Sequence, residues 1–163
     1  MTIDPTQYRQ VLGHFPTGVT VITGLDQDEQ PQGFTIGSFT SVSLDPPLVG
    51  FLPMLKTERW QAIAPSGKFC VNVLGTAHAE LCWRFAKSGM DERFSDVEWI
   101  PAPSGSPIIA GVVAWIDCEV ETVHELGDHY LVVGRITDLA HTADEPDPLL
   151  FFRGKLGGFH LHT

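Results

Sequence analysis

Val112-Val113-Ala114-Trp115-Ile116-Asp117-Cys118-Glu119-Val120-Glu121-Thr122-Val123-His124, then Glu125-Leu126-Gly127-Asp128-His129, then Tyr130-Leu131-Val132-Val133-Gly134-Arg135-Ile136-Thr137-Asp138-Leu139, is the stretch that decides the fold. Ala114, Ile116, Cys118 and Val120 alternate with Asp117, Glu119 and Glu121. That two-residue period predicts a strand with one apolar face and Asp117 on the polar one. Gly127-Asp128 supplies a turn, and His129 opens the second long strand.

Working outward, Leu149 to Phe152 reads as one more strand, and Pro101 to Pro107 as a Pro, Ser and Gly loop. On the other side, Val19 to Thr23, Gly33 to Phe39, Leu48 to Leu52 and Lys68 to Leu74 read as strands. Asp26 to Gln32 is a polar hairpin turn. Three short helices are expected. Asp4 caps the first, Pro5 suits its first position and Gln7 closes a capping box. Tyr8, Val11, Leu12 and Phe15 give it an apolar face, and Pro16 ends it. Thr57 caps the second, which carries Trp60 and Ile63 and stops at Pro65. Ala79 to Lys87 is the third, with Leu81, Cys82 and Phe85 inward. Six or seven strands and two or three helices without regular alternation argue against a doubly wound parallel sheet. They predict a mainly β fold, an antiparallel barrel with helices over its ends.

The 163 residues suit a single domain, 1–163, large enough for a sizeable core. Ten Lys and Arg against 20 Asp and Glu give a net charge of −10, which argues against a nucleic-acid binder but leaves room for a local phosphate pocket. No apolar run reaches membrane-helix length and Met1-Thr2-Ile3-Asp4-Pro5 does not resemble a signal peptide, so no membrane and a cytoplasmic location are expected. Cys70, Cys82 and Cys118 are odd in number and widely spaced, and read as buried thiols.

Three stretches could carry chemistry. Gly33 to Ser43 is dense in glycine and hydroxyls, which lets a ligand approach the backbone; a twisted edge strand with a bulge would look the same. Lys56-Thr57-Glu58-Arg59 places two cations and a hydroxyl at a helix start, suited to a phosphate, although a solvated turn is the commoner use of such a pattern. His129, beside the Gly127-Asp128 turn, could meet a substrate or tether the turn. The seven histidines show no metal-ligand spacing, so no metal is expected. With no G-x-S-x-G, Walker or G-x-G-x-x-G motif, any reactivity should come from a bound cofactor.

Five segments then occur in order: Phe15-Pro16-Thr17-Gly18-Val19-Thr20-Val21-Ile22-Thr23; Gly33 to Ser43 with Leu44-Asp45-Pro46-Pro47-Leu48; Lys68-Phe69-Cys70-Val71-Asn72-Val73-Leu74; Gly127-Asp128-His129 with Gly134-Arg135; and Pro148-Leu149-Leu150-Phe151-Phe152-Arg153-Gly154. Together, across nearly the whole chain, they resemble the short-chain flavin reductases, the reductase components of two-component flavin-dependent monooxygenases. Trp60-Gln61-Ala62-Ile63 and Cys118 resemble the subgroup serving aromatic and steroid-ring hydroxylases.

The resemblance implies a Greek-key split β-barrel homodimer that binds FMN or FAD, oxidises NADH or NADPH, and passes reduced flavin to a separate oxygenase. It implies that Gly33, Thr35, Gly37, Ser38 and Ser41 lie along the flavin, that Lys56, Thr57 and Arg59 hold its phosphate, and that Arg93 and Phe94, in Asp91-Glu92-Arg93-Phe94, are near it. It puts His129, as the catalytic residue, with Phe152 and Arg153 on the nicotinamide side. Two other readings are a flavin-binding protein of the same fold that serves electron transfer or flavin carriage without NAD(P)H turnover, and a non-enzymatic barrel for a small apolar ligand.

Overall fold

A computed structural model describes residues 3–87, 89, 92–142 and 146–160. Helix α1 (Pro5–Leu12) leads into strands β1 (Thr17–Gly18), β2 (Thr20–Leu25), β3 (Pro31–Ile36), β4 (Thr40–Ser43) and β5 (Leu48–Phe51). Helix α2 (Glu58–Ile63), β6 (Lys68–Val73) and helix α3 (Ala79–Ala86) follow. Then come β7 (Trp99–Pro101), β8 (Pro107–Ile109), β9 (Ala114–Leu126), β10 (His129–His141), β11 (Leu150–Phe152) and β12 (Lys155–Gly157). The expected strands and helices form, except that the strand expected over Gly33 to Phe39 runs Pro31–Ile36, taking in the end of the expected turn and stopping before Gly37. The additional strands β1, β4, β7, β8 and β12 have two to four residues each. A two-residue period cannot show in so short a run, so their partners define them. The segment read as a loop, Pro101 to Pro107, is the tip of the β7–β8 hairpin.

Helix α1 starts at Pro5 with the Asp4 carboxylate accepting from Gln7 N at 2.9 Å, but the Gln7 side chain does not return a bond to Asp4, so the expected capping box is only half formed. It stops at Leu12, with Gly13 at its C-cap, before Phe15 and Pro16 are reached. None of its residues is buried: Tyr8 is 55% exposed, Val11 60%, Leu12 53%, and Phe15 beyond it 75%.

Seven strands form one antiparallel sheet in the order β3-β2-β6-β9-β10-β5-β4. Only Gly37, Ser38 and Phe39 join β3 to β4, its two opposite edges. Laid flat, seven strands would hold those edges roughly 29 Å apart, whereas four Cα–Cα steps reach about 15 Å at most. The sheet therefore curls until its edges approach. They do not pair with each other, which leaves the barrel split at Gly37-Ser38. The Ser38 hydroxyl accepts from Leu52 N at 2.9 Å, tying the link to the chain just beyond β5.

Two cores flank this sheet. Inside the barrel, Ile22, Phe34, Phe69 and Val71 pack with Phe51 and Trp60, and the last two rings meet edge-on at 5.4 Å. On the outer face Val21, Cys70 and Leu74 pack against Cys82 and Phe85 of α3 and Ile108 and Ile109 of β8. Strand β2 is thus buried on both faces, which explains its continuous apolar run. Asn72 pins β8 down: its Oδ1 accepts from Ile109 N at 2.8 Å, and its Nδ2 donates to Thr23 Oγ1 at 3.0 Å and Pro107 O at 3.2 Å.

One expectation about β9 is corrected. Asp117 was expected on a polar face and is fully buried. The loop between β7 and β8 covers it, and Ser104 donates both N–H (2.8 Å) and Oγ–H (2.6 Å) to its carboxylate. Register shifts at Val133/Gly134 and Ile136/Asp138 interrupt the simple alternation. Among the described residues no helix is long and apolar enough to cross a membrane.

Candidate active site

A groove of about 760 Å³ opens where the barrel edges fail to meet. One wall is the end of β3 and the link after it, Phe34 to Ser38. The Thr35 hydroxyl donates to Cys82 O at 2.7 Å, binding this wall to α3. A Cβ on Gly37 would press on Thr17 Oγ1 at 3.2 Å, so glycine suits this stretch of the wall. That Thr17 hydroxyl is buried and has no hydrogen-bond partner.

The second wall runs from Leu52 to Met54 and from Lys56 to Arg59, before and into α2. Thr57 occupies the N-cap position without a side-chain capping bond. Arg59 donates to Gln32 Oε1 at 2.8 Å, and Gln32 Nε2 donates to Asp26 Oδ2 at 2.7 Å, which orients the guanidinium from behind. The hairpin tip is stitched to this wall: Leu55 N donates to Asp128 O (3.0 Å) and Tyr130 N to Pro53 O (2.9 Å). His129 consequently stands beside Lys56, and its Nδ1 lies 2.7 Å from Asp128 Oδ1.

Helix α3 closes the third side with Cys82, Trp83, Phe85, Ala86 and the following Lys87. Arg93 is only 6% exposed. It donates to Gly33 O at 3.1 Å and Phe85 O at 2.8 Å, and also to Lys87 O, capping the C-terminal end of α3. Its Nε has no partner. Burial, and then the nearby Arg59, lower its pKa from the ordinary arginine value, while Glu58 opposes them. Among the described residues, four of the chain's ten cations, Lys56, Arg59, Lys87 and Arg93, line this groove with one carboxylate, Glu58. In a chain of net charge −10 that is a local site for an anionic ligand.

Of the residues expected in the site, Thr35, Gly37, Ser38, Lys56, Thr57, Arg59, Arg93 and His129 come together here. Gly33, Ser41, Phe94, Phe152 and Arg153 do not line the groove. Gly33 lets α3 pack on β3, since a Cβ would lie 2.7 Å from Phe85 Cε1. Ser41 is exposed on edge strand β4. Phe94 packs edge-on against Phe85 at 5.0 Å. Phe152 and Arg153 sit at the exposed β11–β12 turn, where Phe152 meets the His14 ring edge-on at 6.2 Å. Asp91 lies outside the described residues.

The sequence reading missed Met54, Trp83 and Phe151 as lining residues. Trp83 and Phe151 meet edge-on at 6.4 Å across separate elements, a pairing that no local pattern announces. Cys82 and Phe85 were legible as the inner face of α3, though not as a groove wall. Burial raises the pKa of all three thiols, with Cys118 pushed up to about 12, so none is an activated nucleophile. Among the described residues no three His, Cys, Asp or Glu side chains converge as a metal site would require.

The family model described as "Flavin reductase like domain" matches residues 12–160. A flavin reductase of Pseudomonas putida is 50% identical over 157 residues, 96% of this chain and 91% of that one. The reductase subunit HsaB of a flavin-dependent monooxygenase from Rhodococcus jostii is 47% identical over 156 residues, 96% of this chain and 78% of that one. Among solved structures, the NADH:FAD oxidoreductase SgcE6 of Streptomyces globisporus, in complex with NAD and FAD fragments, superposes with a TM-score of 0.89 at 35% identity, covering 98% of this chain and 97% of that one.

Proposed function

The chain belongs to the flavin reductase-like domain family, and we propose that its split-barrel groove holds a flavin while a hydride arrives from a reduced nicotinamide. The protein is an NAD(P)H:flavin oxidoreductase that supplies reduced flavin to a partner monooxygenase. The observation that carries the site assignment is the convergence of an open glycine-and-hydroxyl strand end, four cations and an imidazole in one groove without an activated nucleophile. The residues fit a flavin: Arg93 lines the groove with its Nε unpartnered, and Gly37 brings backbone without a side chain of its own to the wall.

When bound, the flavin supplies a ring that takes up a hydride and carries two electrons away. The chain's residues bind and orient. Thr35, Gly37 and Ser38 lie along the ring and ribityl chain, with Arg93 close by. Lys56, Thr57 and Arg59 hold the phosphate, as two cations and a hydroxyl on one wall suit an anion. His129, at the hairpin tip, aligns the nicotinamide. Alignment of two stacked rings is what hydride transfer needs, and no side chain has to form a covalent bond.

The protein acts as a homodimer. The exposed apolar side chains of α1, together with Phe15 and, through the His14 contact, Phe152, form a face that a second copy covers. Phe152 and Arg153 serve the nicotinamide only from that interface. The partner oxygenase acts on an aromatic or steroid-derived substrate, a reading that rests on the Trp60–Ile63 resemblance; Trp60 and Cys118 themselves are barrel-core residues. Anaerobic mixing of the flavin-loaded protein with NADH tests the activity. Bleaching of the oxidised flavin absorbance is expected, and a colourless protein that takes up no flavin and bleaches none overturns it. Assays with both flavins and both nicotinamides establish the preferences.

A further inference from the structure

Asp128 and His129 are adjacent in sequence, yet their side chains are engaged with each other rather than splayed to opposite faces: His129 Nδ1 lies 2.7 Å from Asp128 Oδ1. The carboxylate accepts and cannot donate while ionised, so the proton in this bond belongs to Nδ1. Free neutral imidazole carries no such instruction. With Nδ1–H committed to Asp128, the other nitrogen, Nε2, is the one left to the groove that His129 lines. In the neutral ring Nε2 is an acceptor.

The placement is reinforced from the backbone. The Asp128 carbonyl accepts from Leu55 N at 3.0 Å, and Met54 bridges to His129. The turn therefore cannot swing away from the second wall without breaking these contacts. Gly127, at φ 63, supplies the left-handed backbone that a two-residue hairpin requires. Lys56 is the other charged group felt by the Asp128 carboxylate. Asp128 is 91% exposed at its side chain and takes no part in the core, so its orientation towards His129 is a local choice rather than a packing necessity.

We propose that Asp128 is a positioning residue that fixes His129 as the Nδ1–H tautomer, presenting Nε2 to the groove as an acceptor for the carboxamide N–H of a reduced nicotinamide. The assignment rests on the proposed function, since it deepens the recognition of the same substrate. Its chemical consequence is specific. A dinucleotide whose carboxamide is replaced by a group without N–H donors loses this bond, and its altered hydride-donating power is common to the native protein and the variant, so the change in preference between them reports the bond.

Two measurements separate the inference from the reading beneath it. The first uses nitrogen-15-labelled, flavin-free protein above the histidine titration range, with the His129 ring assigned by its disappearance in His129→Gln. Long-range proton–nitrogen spectra should show the Nδ1–H form in the native protein and reversion towards Nε2–H in Asp128→Ala. An Nε2–H ring in the native protein, or the same tautomer in both, overturns the proposal whatever the enzyme does. The second compares NADH with the reduced 3-acetylpyridine analogue, which has a methyl ketone in place of the amide. Asp128→Ala should raise the KM for NADH about fivefold, with the flavin dissociation constant unmoved. The native preference for NADH over the analogue in kcat/KM should shrink by a similar factor, consistent with one hydrogen bond. Asp128→Glu, which retains a carboxylate, should restore part of both. Equal loss with the two dinucleotides overturns the carboxamide assignment. A protein with the expected tautomer that reduces no flavin overturns the proposed function instead.

Discussion

Gly134 of β10 lies against the ring of Phe69 on β6: a Cβ at Gly134 would stand 2.3 Å from Phe69 Cζ and 3.1 Å from Cys118 Cβ. The contact spans β9 at the register shift between Val133 and Gly134, and it is what lets Phe69 fill the core with Phe51, whose ring centroid is 5.1 Å away. Both partners are held, since Phe69 is fully buried. Gly134→Ala should therefore destabilise the fold by about 1–3 kcal/mol, the usual cost of overpacking a closed core. Chemical denaturation measures it, and an unchanged midpoint would mean that the ring can yield.

Lys56 and Arg59 share one wall, and only FMN, not riboflavin, carries the charge they suit. Lys56→Ala should weaken FMN more than riboflavin. A charge-assisted hydrogen bond contributes ~1.5–3 kcal/mol, and Lys56 is exposed, so a loss near the lower bound, roughly tenfold in FMN affinity, is expected. Equal losses for the two flavins, read by fluorescence titration, would remove Lys56 from the phosphate site.

The apolar face of α1 should be covered in solution. Sedimentation at micromolar concentration should give about twice the 17.9 kDa of one chain. The double substitution Val11→Asp with Leu12→Asp should shift the protein towards monomer without unfolding it, because neither residue is buried within the chain. A native monomer at that concentration refutes the dimer.

Asp117 is fully buried, and among the described residues its carboxylate is hydrogen-bonded by Ser104 alone. Asp117→Ala leaves the Ser104 N–H without its acceptor, while the Ser104 hydroxyl keeps Ser106 Oγ at 3.0 Å, and should cost about 1–3 kcal/mol. A thermal melt reads it. Asp117→Asn, which keeps one acceptor oxygen, should fall between the two.

Asp26 gives a pH signature. Bonds from Gln30 N first, and from the Gln32 side chain and Asp28 N, hold its carboxyl below the ordinary aspartate range despite some burial. A group with a depressed folded-state pKa adds stability that is complete above its unfolded-state pKa and is lost as pH falls through the folded value. Asp26→Asn should therefore lower stability at neutral pH and narrow its gap to the native protein in acid. A gap constant down to the lowest workable pH would assign the effect to shape rather than charge.

The long strands, the helix starts and the inward face of α3 were legible in the sequence because each rests on local periodicity or a local cap. Asp4 capping α1 and Trp60 with Ile63 facing inward from α2 are of this kind. Composition also marked Gly33 to Ser43 and Lys56 to Arg59, of which Thr35, Gly37, Ser38, Lys56, Thr57 and Arg59 come together in the groove while Phe34 and Ile36 serve the core. Tertiary structure decided what depends on residues far apart in the chain. It buried Asp117 under a loop thirteen residues upstream, showed Gly33 to be a packing glycine beneath Phe85, and left Phe152 outside the groove while turning Phe151 into it. Above all it decided where the site lies. A three-residue link between opposite edges of a seven-stranded sheet forces the sheet to curl and leaves a gap at Gly37-Ser38. Strand order, which no local pattern encodes, is what makes that gap a groove.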